Sequence, residues 1–203
     1  MDIYFVRHGQ TDGNVALRHQ HVNTSLNELG KLQARMVARK IAKIKPTNIV
    51  SSTNLRAIET TKIIIDECGR IPPETHPAFE ELRRPSWLTG RRFIAFETVW
   101  YVVRWFFGLK IKGDGESYEE FLARVIEART LLESLPENSR VVVVSHAVFI
   151  NLFLEHLCMD KRMSFWRACK RLVKVLTLRN ASIIHLRYEA GKGKCGWRIL
   201  TRG

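Results

Sequence analysis

Short apolar, β-branched runs, each followed by a helical pattern, recur along most of this chain and restrict its fold more than any other feature. Ile3-Tyr4-Phe5-Val6 comes first, and the next helical pattern runs from about Asn27 to Lys43. Strand 48–51 precedes a helix from about Asn54 to Cys68, and strand 140–145, with its valines Val141 to Val144, precedes one from about Val148 to Leu157. Strand then helix, repeated, argues for parallel pairing with helices on both faces, because the crossover helix must pack back onto the sheet. The expectation is an α/β fold, a three-layer sandwich with a mostly parallel central sheet. The end of the chain differs. Segments 173–178, 182–187 and 196–200 read as strands, with Asn180-Ala181 between the first two and Gly191 to Gly193 between the last two, so antiparallel strands are expected at the edge. Ser117-Tyr118-Glu119-Glu120 reads as a capping box opening a helix over about 117–134, before Pro136.

At 203 residues and 45% hydrophobic, the chain can bury a sizeable core, and no Gly/Ser/Pro-rich linker or internal repeat divides it. One domain spanning 1–203 is expected. Cys68, Cys158, Cys169 and Cys195 lack the paired spacing of a metal knuckle, and no signal-peptide pattern precedes the first strand, so a reducing, cytoplasmic setting is expected. The net charge of +13, from 33 Lys+Arg against 20 Asp+Glu, attracts anions of any kind: phosphorylated metabolites, nucleic acid or acidic membranes. Much of that charge recurs at helical spacing, as in Lys31, Arg35, Arg39 and Lys43, or Lys161, Arg162, Arg167, Lys170, Arg171 and Lys174. Solvated helix faces explain such runs, so a nucleic-acid partner is permitted by charge but not expected.

From Phe93 to Leu109 two apolar stripes run side by side: Phe93, Phe96, Trp100, Val103 and Phe107 on one, Ile94, Tyr101 and Trp105 on the other. A helix apolar nearly all round is expected to be buried, as core or as a lid. Glu97 and Arg104 interrupt it, and it falls short of the roughly twenty apolar residues of a membrane span. Docking onto a membrane or a protein is the alternative.

The strand ends carry the chemistry. The first delivers Arg7-His8-Gly9, with Gln10-Thr11-Asp12-Gly13-Asn14 following; the strand at 48–51 leads to Ser52-Thr53-Asn54-Leu55-Arg56 at a helix start; the valine strand ends in Ser145-His146. In α/β folds, ligands bind beyond the carboxyl ends of the strands. Arginine offers a planar fork matched to phosphate oxygens, and glycine lets the backbone turn tightly and lets an anion approach main-chain N–H groups.

These motifs resemble, in order and spacing and over nearly the whole chain, those of the histidine phosphatase superfamily, which includes the cofactor-dependent phosphoglycerate mutases and many broad phosphatases. Residues 7–14 resemble its nucleophile motif, Arg-His-Gly-Glu-(Thr/Ser)-x-x-Asn, with Gln10 in place of the acid. Leu26 to Ala34 is similar to its helix opening, Leu55-Arg56-Ala57-x-x-Thr60 to its second arginine motif, Phe79-Glu80-Glu81 to its acid motif and Ser145-His146 to its second histidine motif. Ala147 stands where glycine is common, and the loop from Leu17 to Thr24 matches weakly. The resemblance implies that 82–116 is the family's variable insertion, a helical lid capping the site.

Phosphoryl transfer needs an in-line nucleophile, cations around the equatorial oxygens and a proton for the leaving alkoxide. His8 is the candidate nucleophile, forming a phosphohistidine that water opens, a route that needs no metal or other cofactor. Arg7 and Arg56 would neutralise the phosphoryl group, with His146, protonated beside the dianion, Asn14 and Thr11 as further donors. N–H groups following His146 sit at a helix start suited to anions. The acid motif selects Glu81 as proton donor, with Glu80 the alternative, since adjacent carboxylates on extended chain point to opposite sides. Arg83 and Arg84 follow and are candidates for contacts to the rest of the substrate; His19, His21, His76, His156 and His185 match no catalytic pattern. The reading is an acid or broad-specificity phosphomonoester hydrolase acting on a small phosphorylated substrate. A phosphoglycerate mutase-type phosphotransferase is the runner-up, disfavoured by the short chain, and a non-catalytic basic binding protein is the alternative from another class. The sequence leaves the substrate's alcohol portion and the oligomeric state open.

Overall fold

The computed structural model describes residues 1–69, 71–164, 167–168, 175, 177–192 and 195–202. Six strands form one sheet: β1 (Asp2–Arg7), β2 (Asn48–Ser51), β3 (Pro73–Thr75), β4 (Arg140–Ser145), β5 (Ile183–Tyr188) and β6 (Trp197–Arg202), in the order β3-β2-β4-β1-β5-β6. The first four run parallel, and β5 and β6 add an antiparallel edge, β5 against β1 and β6 against β5. The mostly parallel sheet with an antiparallel edge is as expected. Register aligns the functional ends, Arg7 of β1 opposite Ser145 and Ser51 of β2 opposite Val144.

Side chains alternate across β1 and β4, so helices cover both faces. On one face Val6, Ile49, Val142 and Val144 meet Val37, Ala38 and Ile41 of α2 (Glu28–Ile44) and Ala57 and Ile64 of α3 (Leu55–Cys68). On the other, Ile3, Phe5, Val141 and Val143 join one core with residues of α4 (Phe96–Phe106), α5 (Tyr118–Glu133) and α6 (Ala147–Glu155). A short α1 (Asp12–Val15) follows β1. The capping box at the start of α5 is present, with Ser117 and Glu120 bonding reciprocally.

Several expectations are corrected. β3 carries no strand signal in the sequence: Pro73 opens it, and proline is tolerated in strands only at edges or first positions, where this one lies. The strand expected at 173–178 falls mostly outside the described residues, and the two included in regular structure, Val175 and Thr177, are helical. The basic run's Lys170, Arg171 and Lys174 also lie outside the described residues. Cys158 and Cys195, far apart in sequence, have Cα atoms 5.3 Å apart and form a disulfide, while Cys68 is free.

The segment 93–109 is not buried all round. Tyr101, Trp105 and Phe106 are buried, but Ile94, Phe96, Val99, Trp100, Val103 and Leu109 are exposed. Tyr101 and Trp105 of one stripe therefore pack on the body of the protein, while Ile94 of that stripe and Phe96, Trp100 and Val103 of the other face solvent. The base of this excursion is tied to itself: Arg83 N–H donates to Glu116 Oε1 (2.8 Å) and Glu116 N–H to the Arg83 carbonyl (2.9 Å). No helix among the described residues is long and apolar enough to cross a membrane.

Candidate active site

Four chain segments converge beyond the carboxyl ends of β1, β2 and β4. β1 ends in Arg7 with His8 next; β4 ends in Ser145 with His146 next, as N-cap residue of α6; Arg56 lies in the first turn of α3. Glu81 follows the 3₁₀ turn Pro77–Phe79, which β3 leads into. The strand register thus sets the two histidines side by side, with ring centroids 5.1 Å apart and ring planes at 56°.

His8 is buried, and its Nδ1 lies 2.7 Å from the Gly9 carbonyl oxygen. A carbonyl only accepts, so Nδ1 carries the hydrogen and Nε2 the lone pair. Burial, then the cations Arg56 and Arg7, holds the imidazole well below the ordinary histidine range. It is therefore neutral at physiological pH, with its lone pair on Nε2.

Both arginines are anchored by main-chain oxygens. Arg7 Nη1 donates to the Leu178 carbonyl, and Arg56 Nη1 to the His21 carbonyl at 3.1 Å. Arg7 Nε, Arg56 Nε and His146 Nδ1 are buried with no hydrogen-bond partner among the described residues. Buried donors ordinarily find partners, so the two unsatisfied guanidinium N–H groups, with an unpartnered imidazole nitrogen of His146, suit an anion. Burial pushes Arg56 down to about 10, with Glu81 opposing the shift, and it stays cationic at neutral pH.

His146 is fully buried, with Nε2 2.8 Å from Ser52 Oγ. Burial first, then Arg56, His8 and Arg7, keeps it well below the usual range. The named neighbours are all cationic or neutral, so the expected protonation of His146 beside a dianion depends on the dianion itself.

The glutamate pair divides clearly. Glu81 lies within electrostatic reach of both Arg7 and Arg56. Its carboxylate accepts from the N–H groups of Phe149 (3.0 Å) and Val148 (3.4 Å) at the start of α6. The helix N-terminus read as an anion site is therefore occupied by an internal carboxylate. Glu80 instead accepts from Arg83 Nε (2.8 Å) and pairs with the Thr53 hydroxyl. Buried Arg124 fixes the loop between them, donating to the carbonyls of Ala78 (3.1 Å), Glu80 (2.8 Å) and Glu81 (3.3 Å) while pairing with buried Glu116.

Other expectations shift in detail. The Thr11 hydroxyl is buried against Gln20 Oε1 (2.6 Å) and caps α1, accepting from Asn14 N–H, so it holds the loop rather than offering a free donor. Asn14 Oδ1 accepts from Thr11 N–H (3.2 Å) and Asn180 Nδ2 (3.1 Å), which leaves Nδ2 as its donor end. Gly9 serves packing more than anion approach: its N–H donates to Thr60 Oγ1, and a Cβ there would stand 2.4 Å from the Gly30 carbonyl oxygen. Gln10, in place of an acid, accepts from Asn27 Nδ2, tying the loop to the start of α2. Arg84 lies within electrostatic reach of Arg56 and His146, whereas Arg83 is held by Glu80. Ser52, Gln20 and Asn180 were not anticipated as supports of the site.

Two imidazoles, two arginines and a carboxylate thus gather beyond the carboxyl ends of β1, β2 and β4. The model of the Histidine phosphatase superfamily (branch 1) matches residues 3–199, and the chain belongs to that family. A Proteus mirabilis protein named "Probable phosphoglycerate mutase GpmB" is 32% identical over 100% of this chain and 93% of its own length; a Yersinia pestis protein of the same name is 31% identical with the same coverage. Among solved structures, a mycobacterial glucosyl-3-phosphoglycerate phosphatase complexed with VO3 superposes with a TM-score of 0.73 at 25% identity, covering 99% of this chain and 98% of that one. A phosphoserine phosphatase mutant from Entamoeba histolytica shares the fold, with a TM-score of 0.75 at 19% identity over 99% and 95% of the two chains.

Proposed function

We propose that the protein is a metal-independent phosphomonoester hydrolase, of broad or acid-phosphatase type, working through phospho-His8. The observation that carries this reading is the hydrogen bond from His8 Nδ1–H to the Gly9 carbonyl, which leaves Nε2 as the lone-pair atom beside Arg7 and Arg56. In the first step Nε2 attacks phosphorus, the bond from phosphorus to the ester oxygen breaks, and Glu81 gives its proton to the departing alkoxide. In the second, water attacks the phosphohistidine, its proton passes to Glu81, the N–P bond breaks and inorganic phosphate leaves. The free Nε atoms of Arg7 and Arg56, Nδ1 of His146 and Nδ2 of Asn14 surround the equatorial oxygens, where charge builds in the transition state. Thr11 contributes by holding Asn14. Segment 82–116 acts as a lid within a single domain, with Arg84 its contact nearest the phosphate.

The names of the 31–32% identical relatives favour a second reading, in which phospho-His8 returns its group to a sugar acid instead of water. Hydrolysis of an aryl phosphate in excess chelator, wild type against His8→Ala, tests the first. Chelator-resistant turnover that His8→Ala abolishes is the expected result. Turnover appearing only with a phosphoglycerate pair would favour the mutase, and turnover untouched by His8→Ala would remove His8 from the mechanism.

A further inference from the structure

We propose that the outward face of α4 is a docking surface for an anionic lipid bilayer, on which the protein rests with this helix parallel to the membrane plane. The two stripes of the segment are separated by structure: Tyr101 and Trp105 anchor it to the core, while Phe96, Val99, Trp100 and Val103, at helical spacing, face outward. Ile94 and Phe96 are 78% and 80% exposed, well beyond what isolated surface apolar residues need to explain themselves. The patch continues onto a second segment, since Phe93 N–H donates to the Leu17 carbonyl and Leu17 is itself exposed.

Charge identifies the occupant. Residues 91–112 contain five Arg and Lys and a single acid, Glu97, which is paired with Arg91 at 3.6 Å. Arg92, Lys110 and Lys112 are exposed around the apolar face, and the Arg104 guanidinium lies over the Trp100 ring at 4.7 Å. An apolar stripe carrying a tryptophan and rimmed by cations matches the boundary between acyl chains and anionic headgroups. A second copy of this chain is a poor match, because it would bring the same cations face to face. The helix is too short to cross the bilayer, so it lies on the surface. The segment joining Asn14 to His21, whose carbonyl holds Arg56, carries the exposed Val15 and Leu17 at the rim of the active site, so docking would bring that rim to the lipid surface.

The full chain is sedimented with phosphatidylcholine vesicles and with vesicles containing about 30 mol% phosphatidylglycerol, a density of charge adequate for juxtamembrane cations. Wild type is expected to pellet with the anionic vesicles only, and Ile94→Asp/Phe96→Asp to lower the partition coefficient by about tenfold or more with an unchanged thermal midpoint. His8→Ala is expected to bind as wild type does, which separates this proposal from the catalytic one. In the wild type, lipids brominated on the acyl chains are expected to quench tryptophan fluorescence, a readout that needs no variant. Absence of wild-type binding or quenching overturns the proposal, as does binding that the aspartates leave intact. A dimer that forms without vesicle binding and is lost in the same variant assigns the face to a second copy and equally overturns it.

Discussion

His8 and His146 stand with ring centroids 5.1 Å apart and planes tilted by 56°, one presenting a lone pair at Nε2 and the other an unsatisfied buried Nδ1. Their separation follows from the sheet, because β1 and β4 are hydrogen-bonded neighbours in parallel register and each histidine is the first residue beyond its strand. Any substitution that slips this register would shift one ring against the other.

Removing the acid is expected to matter most for poor leaving groups. Glu81→Gln should lower kcat on an alkyl phosphate by about 10²–10⁴, with a smaller loss on p-nitrophenyl phosphate, whose phenolate needs little protonation. Glu80→Gln should stay within a few-fold of wild type, because Glu80 is engaged by Arg83. Steady-state kinetics on both esters decide it, and the reverse ranking would move the role to Glu80.

Arg56→Lys keeps a positive charge but loses the planar fork, one arm of which is fixed by the His21 carbonyl. The expected outcome is a fall in kcat of about 10²–10³, with folding intact by circular dichroism. Near wild-type kcat would reduce Arg56 to a point charge.

Inorganic phosphate should stabilise the protein by occupying the unsatisfied donors. At 100 times its Kd the gain is about 2.7 kcal/mol, or about 5–10 °C in Tm for a chain this size. Arg7→Gln/Arg56→Gln should abolish the shift in a thermal scan, and a shift that survives would place the phosphate elsewhere.

Acid should destabilise the fold in a defined window. His8 and His146 are both held well below their ordinary value, chiefly by burial and then by Arg56, and His19 is held at about 3 by burial and then Arg84. The unfolded chain protonates these imidazoles as pH falls through about 6.5 and the folded chain does not, so stability is fully present above that pH and lost below it. Thermal midpoints between about pH 7.5 and about pH 4.5 should fall progressively, and less steeply for His146→Gln. A wild-type midpoint flat across that range would contradict the assignment.

The Arg124–Glu116 pair is buried, with 6% of each side chain exposed. Glu116→Ala strands the guanidinium and should cost about 3–5 kcal/mol by chemical denaturation. It should also lower turnover in the surviving folded fraction, since Arg124 holds the carbonyls of Glu80 and Glu81.

Most of the order of strands and helices, β3 and segment 173–178 apart, is readable because β-branched runs and helical periodicity are local signals, and the candidate histidines are legible because each sits directly beyond a strand end. What stayed hidden has no side-chain signature. The carbonyls of Leu178 and His21 that hold the arginines could be supplied by any residue, and Ser52 and Asn180 approach the histidines only through folding. The two apolar stripes of 93–109 look alike in sequence, so periodicity alone could not say which one packs inward. The disulfide was unreadable for the same reason, its partners being brought together by the fold from 37 positions apart.

The two hydrogen bonds between the backbones and side chain of Arg83 and Glu116 tie the ends of residues 84–115 together, while Tyr101 and Trp105 pack this excursion into the core. The acid-bearing loop is secured just before this clasp, and α5 begins just after it. The excursion is therefore both a closed loop and a part of the core. Its outward residues, Ile94, Phe96 and Val99 among them, can change without disturbing that packing, so what the protein docks to is open to revision while the residues at the strand ends keep their places.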